Sequence, residues 1–197
     1  MMGSGVLKNR TAELPILTER LCLRGYRQDD LESVFRLRSN PDVVKLLYGD
    51  PLTREEVPEL LTKYMSPPRF DADGDELKLA IERRADGAYL GNLKLQILSV
   101  EHRQGEIGYA LDPQYHGKGY AREAATAGLD LGFRHFGMHR IRAHCDARNT
   151  ASWRLMQKLG MKREAHFRES EFFKGVWADD FIYAILAREW TGAPEAE

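Results

Sequence analysis

The sequence predicts one α/β domain in which helices pack against a sheet. Three observations predict it: apolar residues in segment 28–40 recur at helical spacing, residues 77–98 alternate with a period of two, and a glycine-rich turn at 111–124 leads into a second helical segment. The 197 residues suit a single domain. Since no repeat, low-complexity block or linker divides the chain, we assign residues 1–197 to one domain.

The N-terminal part alternates between strand and helix. Residues 20–26 alternate like a strand and lead directly into the helix at 28–40. Segments 40–49 and 53–65 predict one or two further short helices, the second of them interrupted by Pro58.

The middle of the chain changes to the period of a strand. Residues 77–98 predict two strands joined at Asp86-Gly87, because such a turn requires residues that tolerate positive φ. Segment 105–112 predicts a third strand. Three consecutive strands are therefore expected to be antiparallel.

Two helices and three strands are predicted in the C-terminal half. Apolar residues in 119–136 recur at helical spacing, and residues 139–146 alternate as a strand. Asn149 can cap a helix at 150–159. The chain then closes with two strands around Gly175.

Composition excludes several classes of function. With 29 basic and 30 acidic side chains the net charge is -1, so we expect no nucleic-acid partner. No apolar run approaches the roughly 18 residues of a membrane helix, and the N-terminus lacks a signal-peptide core, so a cytoplasmic protein without a membrane partner is expected. Cys22 and Cys145 have no zinc spacing and are expected to pack within strands, and no metal site is expected. Residues 1–15 and 191–197 are expected to be loose tails.

The turn at 111–124, "LDPQYHGKGYAREA", is suited to bind a phosphate or pyrophosphate. The first amides of a helix have no intrahelical acceptor, and the helix dipole adds positive potential there. Gly117 and Gly119 let the backbone approach an anion without a Cβ in the way. Three side chains could add positive charge at the same place: His116, Lys118 and Arg122.

Two common nucleotide-binding loops do not fit this turn. A Walker A loop needs four residues between its first Gly and a Gly-Lys-Ser/Thr, a spacing that the turn lacks. A dinucleotide fingerprint needs a third Gly where Arg122 stands, and it opens a βαβ unit instead of closing an antiparallel meander. A nucleotide-binding Rossmann protein is therefore the weakest alternative.

The segment from Gln114 to Ala121 matches the Q/R-x-x-G-x-G/A signature, and through it the chain resembles the GCN5-related N-acetyltransferase (GNAT) family. In that family the amides of this loop hold the pyrophosphate of acetyl-coenzyme A (acetyl-CoA). The resemblance extends over roughly residues 16–190 and is to the RimJ/RimL-type branch. It is carried, in order and spacing, by segments 17–37, 106–124, 140–165 and 177–190.

The resemblance implies the GNAT fold, a mixed and mostly antiparallel central sheet of about seven strands with helices on both faces. Its fourth and fifth strands, here 104–112 and 139–146, would splay apart and expose backbone amides to the thioester carbonyl. The implied activity is direct transfer of acetyl from acetyl-CoA, the co-substrate, to a primary amine. The acceptor stays open between a protein N-terminal α-amine, such as that of a ribosomal protein, and a small-molecule amine. A monomer and a homodimer both stay open.

By the same resemblance, cofactor binding falls to the glycine turn, the strand before it and the start of the 150–159 helix. The residues are Ala110, Leu111, Asp112, Gln114, His116, Gly117, Lys118, Gly119, Tyr120, Ala121, Arg122, Asn149 and Ser152. Asn149 would contact the pantetheine arm, a role compatible with capping the helix. The side chains of His116 and Lys118 are equally compatible with pointing to water, because the amides do most of the binding.

The proton donor for the departing thiolate is the least regular part of the resemblance. Much of the family has a Tyr where Met156 stands, and a thioether cannot donate a proton. In the RimL-like branch a Ser three residues beyond the Asn lies near the sulfur, and Ser152 occupies that position. Ser152 is equally compatible with satisfying the first turn of its helix.

Two carboxylates are candidates for the base that deprotonates the amine. Glu171, four residues before Gly175, matches the RimL-type Glu and is slightly favoured over Glu106, which begins a strand. A partly buried carboxylate is expected to have the raised pKa that a base needs near neutral pH. His144 and His166 could also line the substrate side.

The alternative from another class is a non-catalytic acyl-CoA sensor of the same fold. Met156 in place of Tyr favours a sensor. Ser152 together with Glu106 and Glu171 favours an enzyme.

Overall fold

The computed structural model describes residues 7, 11–47, 50–66 and 70–192. Its strands are β1 (Ile16–Leu17), β2 (Leu21–Arg24), β3 (Glu76–Arg83), β4 (Tyr89–Ser99), β5 (Gln104–Leu111), β6 (Arg140–Asp146), β7 (Lys162–Phe173) and β8 (Val176–Leu186). Its α-helices are α1 (Leu31–Ser39), α2 (Pro41–Val44), α3 (Val57–Met65), α4 (Tyr120–Asp130) and α5 (Thr150–Lys158). Short 3-10 turns occupy Gln28–Asp30 and Pro113–Tyr115.

The described strands form one sheet in the order β1-β2-β3-β4-β5-β6-β8-β7. Strands β1 to β5 are antiparallel meanders, β5 and β6 are parallel, and β8 is antiparallel to both β6 and β7. The predicted mixed, mostly antiparallel sheet is confirmed. It has eight strands instead of about seven, because Ile16 and Leu17 pair with Leu23 and Cys22. Two residues are too few to show a period in the sequence.

Helices cover both faces of the sheet, as expected. On one face α4 and α5 pack on the apolar side chains of the central strands, including Leu93, Ile107 and Ile141. On the other face α1 and α3 form a second cluster against Ala80 and Tyr89. The sheet itself is therefore the shared wall of two cores.

The predicted 119–136 helix is shorter and less regular than its period indicates. Helix α4 ends at Asp130 and continues as a π-helical turn at Leu131–His135. Gly132 lies there against β6, where a Cβ would come within 2.4 Å of the Ile141 Cδ1 atom. The close approach requires a residue without a side chain, and the turn ends at Gly137 with φ 71°.

Pro58 does not interrupt its helix, contrary to the expectation. It lies in the first turn of α3. A proline there removes only an amide that has no intrahelical acceptor, so the helix starts around it.

The two cysteines are free and lie on strands, as expected, with Cys145 buried on β6. In the predicted tail 1–15, Leu7 is buried in the main core; the rest of that tail before residue 11, and residues 193–197 of the other, lie outside the described residues. Of the helices described, none has the length and apolar character needed to cross a membrane.

Candidate functional site

A cleft opens where β5 and β6 separate. The two strands pair only at Gln104–Arg140, Gly105–Ile141 and Glu106–Arg142. Within the described chain this ladder stops there, and the strands run on to Leu111 and Asp146 without pairing with each other. We call the space between 107–111 and 143–146 the cleft. The predicted splay of the two strands is confirmed, and the backbone groups that line it are available to a ligand.

Side chains along the cleft alternate between the two faces of the sheet. Tyr109 and Cys145 face α5, since both hydrogen-bond to Ser152 of that helix. Glu106 and His144 lie on the opposite face, with the His144 Nδ1 atom 3.3 Å from the Glu106 Oε2 atom. A molecule that enters from either face therefore meets a different set of groups.

The glycine turn lies between the end of β5 and the start of α4. Asp112 caps its first 3-10 turn by accepting a hydrogen bond from the Gln114 amide. Gly117 and Gly119 have φ of 73° and 81°, and Gly119 is the N-cap of α4 without any side-chain cap. A Cβ at Gly117 would meet no atom within 4 Å. The uncapped amides therefore adjoin open space, which suits a pyrophosphate.

The polar side chains of the turn fold back on its backbone. The His116 Nε2 atom donates to the Leu111 carbonyl at 2.9 Å, and the Lys118 ammonium donates to the Gln114 carbonyl at 3.1 Å. These two hydrogen bonds stabilise the conformation of the turn. Since these two side chains are engaged with the turn, its backbone amides are the groups that can hold the phosphates.

Arg20 is a cation at this turn that the sequence analysis missed. Its guanidinium donates to the Lys118 carbonyl at 3.0 Å and to the Glu123 carboxylate at 2.7 Å, and lies 4.7 Å from the centre of the Tyr120 ring. One of its nitrogens would be 3.2 Å from a Cβ at Gly119. No local signal marks Arg20, because it lies 103 residues from Glu123 in the chain.

The start of α5 brings Asn149 and Ser152 to the face of the sheet on which Tyr109 and Cys145 lie. The Asn149 side chain accepts from the Ser152 amide at 3.1 Å, so its capping role is confirmed. The Tyr109 hydroxyl donates to the Ser152 carbonyl at 3.3 Å. Burial raises the pKa of Tyr109, against a hydrogen bond with Ser152 that lowers it.

Cys145 is a poor nucleophile. Burial raises the pKa of its thiol to about 11, although a hydrogen bond with Ser152 opposes the rise. The thiol is thus protonated near neutral pH. This chemistry favours direct transfer to an acceptor over an acetylated enzyme.

Met156 is buried in the main core at 2% exposure. The phenol on this side of the cleft belongs to Tyr109 instead, on β5. The sequence analysis missed it, although its position three residues after Glu106 places it on the opposite face of the strand.

Glu106 is almost completely buried and is surrounded by cations. Its side chain is 6% exposed, and its carboxylate lies 3.4 Å from Lys94, 3.0 Å from Arg142 and 3.3 Å from His144. Burial raises its pKa, but His144, Lys94 and Arg142 together outweigh burial and lower the pKa to about 2. The expectation of a raised pKa is therefore wrong for Glu106.

Glu171 lies on β7 with an exposed side chain, opposite Ala178 of β8. Two strands, β6 and β8, separate it from Glu106 on β5. The tip of its hairpin contacts α2, where Lys174 donates to the Val44 carbonyl. The structure therefore does not bring the two candidate bases together.

His166 lies on the face of the sheet opposite to His144. It packs edge-on against Phe181, which pairs with Cys145, and its Nε2 atom is 2.7 Å from Asp179. Over the residues that the structure covers, no three His, Cys, Asp or Glu side chains form a group that could hold a metal ion.

Residues 20–162 match the family model of the acetyltransferase (GNAT) domain. The chain is 34% identical to the uncharacterized N-acetyltransferase YnaD of Bacillus subtilis over 89% of this chain and 98% of that protein. It is 26% identical to the spermidine N(1)-acetyltransferase of Vibrio cholerae over 91% of this chain and 100% of that protein.

Solved structures agree with these relatives. An acetyltransferase (GNAT family) from Bacillus anthracis has a TM-score of 0.80 and 33% identity, covering 89% of this chain and 100% of that one. Spermidine N-acetyltransferase from Vibrio cholerae, solved in complex with CoA and spermine, has a TM-score of 0.75 and 24% identity, covering 87% of this chain and 98% of that one. The second likeness concerns the fold alone.

Proposed function

The chain belongs to the GNAT family of acetyltransferases, and on that premise we propose that it transfers acetyl directly from acetyl-CoA to the primary amine of a small molecule. Family membership makes it an acetyl-CoA-dependent N-acetyltransferase, which argues against the sensor alternative. The acceptor is what the proposal adds. The observation that carries the transfer is the cleft between β5 and β6, which opens beside the glycine turn, and the relatives support the acceptor class.

The turn and the start of α4 would hold the pyrophosphate of acetyl-CoA. The amides from Gly117 onward supply hydrogen bonds and the positive end of the helix dipole. Arg20 adds a guanidinium beside Gly119. Bound there, acetyl-CoA supplies the thioester carbonyl that the amine attacks.

Beyond Glu106, the edge of β5 that faces β6 would stabilise the oxyanion of that carbonyl with its backbone amides. Ser152 would supply a proton to the departing thiolate, and the Tyr109 hydroxyl donates a hydrogen bond to the Ser152 backbone carbonyl. Because the pKa of Tyr109 is raised, its phenol keeps its proton near neutral pH. Met156 has no part in this step.

A small-molecule amine is the acceptor class that the relatives support. Two relatives from Vibrio cholerae and Escherichia coli are named for spermidine, at 26% and 25% identity. A ribosomal-protein-serine acetyltransferase is similar at only 18% identity, which concerns the fold. A protein N-terminus is therefore the second candidate.

The test is calorimetric titration with acetyl-CoA, followed by thiol release in the presence of polyamines, amino acids, simple amines and peptide N-termini. We expect binding, and turnover with a small amine. Turnover only with peptide N-termini would replace the proposed acceptor class. Binding without turnover on any amine would support a sensor instead.

A further inference from the structure

His144 lies in the cleft just beyond the point where β5 and β6 separate. It follows Arg142, the last paired residue of β6, by two positions, so both side chains lie on the same face of the sheet. Glu106, the last paired residue of β5, is on that face too. The imidazole therefore stands at the closed end of the cleft, next to the carboxylate.

Glu106 and His144 differ in what can reach them. The side chain of Glu106 is 6% exposed, whereas that of His144 is 34% exposed. Glu106 already contacts Lys94 and Arg142 besides His144. An amine in the cleft can therefore meet the imidazole, while the carboxylate lies behind it.

We propose that His144 is the catalytic base that takes the proton of the acceptor ammonium, and that Glu106 is a positioning residue that acts through it. This inference rests on the proposed function, because it assigns one step of that transfer. In this proposal the ammonium proton goes to His144, and not directly to Glu106 or Glu171 as the sequence analysis expected.

The contact with Glu106 determines which ring nitrogen of His144 accepts the proton of the ammonium. A carboxylate only accepts hydrogen bonds, so the Nδ1 atom of His144 carries the proton shared with Glu106. In the neutral ring the lone pair is then on Nε2. Nε2 takes one proton from the ammonium, and the nitrogen lone pair forms the C–N bond while the carbonyl becomes the oxyanion. The C=O bond then forms again as the C–S bond breaks. The Ser152 hydroxyl gives its proton to the departing thiolate and takes up the second proton lost by the nitrogen, and His144 returns the first proton to solvent.

The charges around His144 suit this role. Glu106 on β5 and Asp180 on β8 raise the pKa of His144 above its usual 6.5, while burial and Lys94 on β4 lower it. Arg142, on the same strand, is paired with Glu106. A base with a pKa near neutral is efficient at physiological pH. Activity is expected to rise with pH through this pKa, since only the neutral ring accepts a proton.

The first experiment compares pH profiles of kcat/KM for the full chain and four variants. We expect His144→Gln to lower kcat/KM by about 100-fold or more and to abolish the acid limb. Glu106→Gln should move the acid limb to lower pH, because Glu106 raises the pKa of His144. The dissociation constant of acetyl-CoA should not change in either variant.

His166→Gln is the matched control, because His166 also pairs with a carboxylate but lies on the other face of the sheet. Its profile should equal that of the unsubstituted protein. Retention of the acid limb in His144→Gln, or its loss in Glu171→Gln instead, would overturn the inference and leave the proposed function standing. No turnover by the unsubstituted protein would overturn both.

A second measurement observes the imidazole in the unsubstituted protein and uses a variant only to assign its signal. Nitrogen-15 NMR of the imidazoles in the unsubstituted protein should show His144 with its proton on Nδ1 and a pKa above 6.5. His144→Gln assigns the signal. A proton on Nε2 of the neutral ring would contradict the proposed step.

Discussion

Gly117 and Gly87 occupy the same left-handed region of backbone space in different parts of the molecule. Their φ values are 73° and 72°, and a Cβ at either would meet no atom within 4 Å. Gly87 serves the hairpin between β3 and β4, whereas Gly117 serves the turn before α4. The pair therefore separates the cost of backbone strain from the cost of lost ligand binding.

Gly117→Ala and Gly87→Ala should lower the free energy of unfolding by a similar amount, about 1 kcal/mol, because a side chain disfavours this conformation. Only Gly117→Ala should weaken acetyl-CoA binding, since the added methyl projects into the open space beside the amides. Denaturant unfolding and calorimetry measure the two effects. Equal acetyl-CoA affinity in both variants would rule out the turn as the pyrophosphate site.

Cys145→Ala tests direct transfer. With a pKa of about 11, only about one thiol in ten thousand is ionised at pH 7. We expect the variant to keep its activity within a few-fold and initial-rate plots against both substrates to intersect. Parallel lines together with an inactive variant would indicate an acetylated Cys145.

At the scale of elements, helix α4 is joined by hydrogen bonds to the segment before β2, which is distant from it in sequence. In its first turn, Glu123 accepts hydrogen bonds from the Thr18 hydroxyl at 2.6 Å, the Arg20 amide at 2.8 Å and the Arg20 guanidinium at 2.7 Å. These bonds hold the start of the helix against the segment before β2. The first backbone amides of α4 adjoin the glycine turn, whose Gly119 is the N-cap of the helix.

Glu123→Gln should destabilise the fold by about 1 kcal/mol at pH 7, a value reduced for the partly exposed Arg20. Burial raises the pKa of Glu123, but Thr18 and Arg20 together lower it below 4.5. A lowered pKa stabilises the folded state above the unfolded pKa, so the difference between variant and parent should shrink as pH falls through the folded pKa. Urea unfolding at several pH values measures it.

Glu59→Gln is the control for that measurement. Glu59 also occupies a first helical turn and pairs with Lys63, but both side chains are exposed. Its effect on stability should be much smaller. Equal effects of the two substitutions would mean that the tie at Glu123 does not stabilise α4.

Periodicity and turn chemistry were enough to predict most elements of this chain. The hairpin at Asp86-Gly87, the strand at 139–146 and the Asn149 cap depend on residues close in sequence, and the structure has all three. The π-helical turn after α4 was not predictable, because it results from packing against Ile141 of β6. A local pattern carries no information on such a contact.

At the scale of the whole molecule, the site depends on pairs that are distant in sequence. The glycine turn is local and was found from its own residues. Arg20 with Glu123, and Glu106 with His144, meet only after the sheet has formed. The lowered pKa of Glu106 follows from His144, Lys94 and Arg142 on neighbouring strands, so burial alone gave the wrong direction.

The order of the sheet also determines when the cleft can exist during folding. Strand β8 follows β7 in the chain but lies between β6 and β7. During synthesis, β6 therefore has one unpaired edge until β8 has left the ribosome. Strand β7 also stays unpaired until then, because β8 is its partner in the sheet. An exposed strand edge is prone to pair with other chains. The wall of the cleft that carries His144 is thus completed late, and a nascent chain that stalls before β8 is exposed to aggregation.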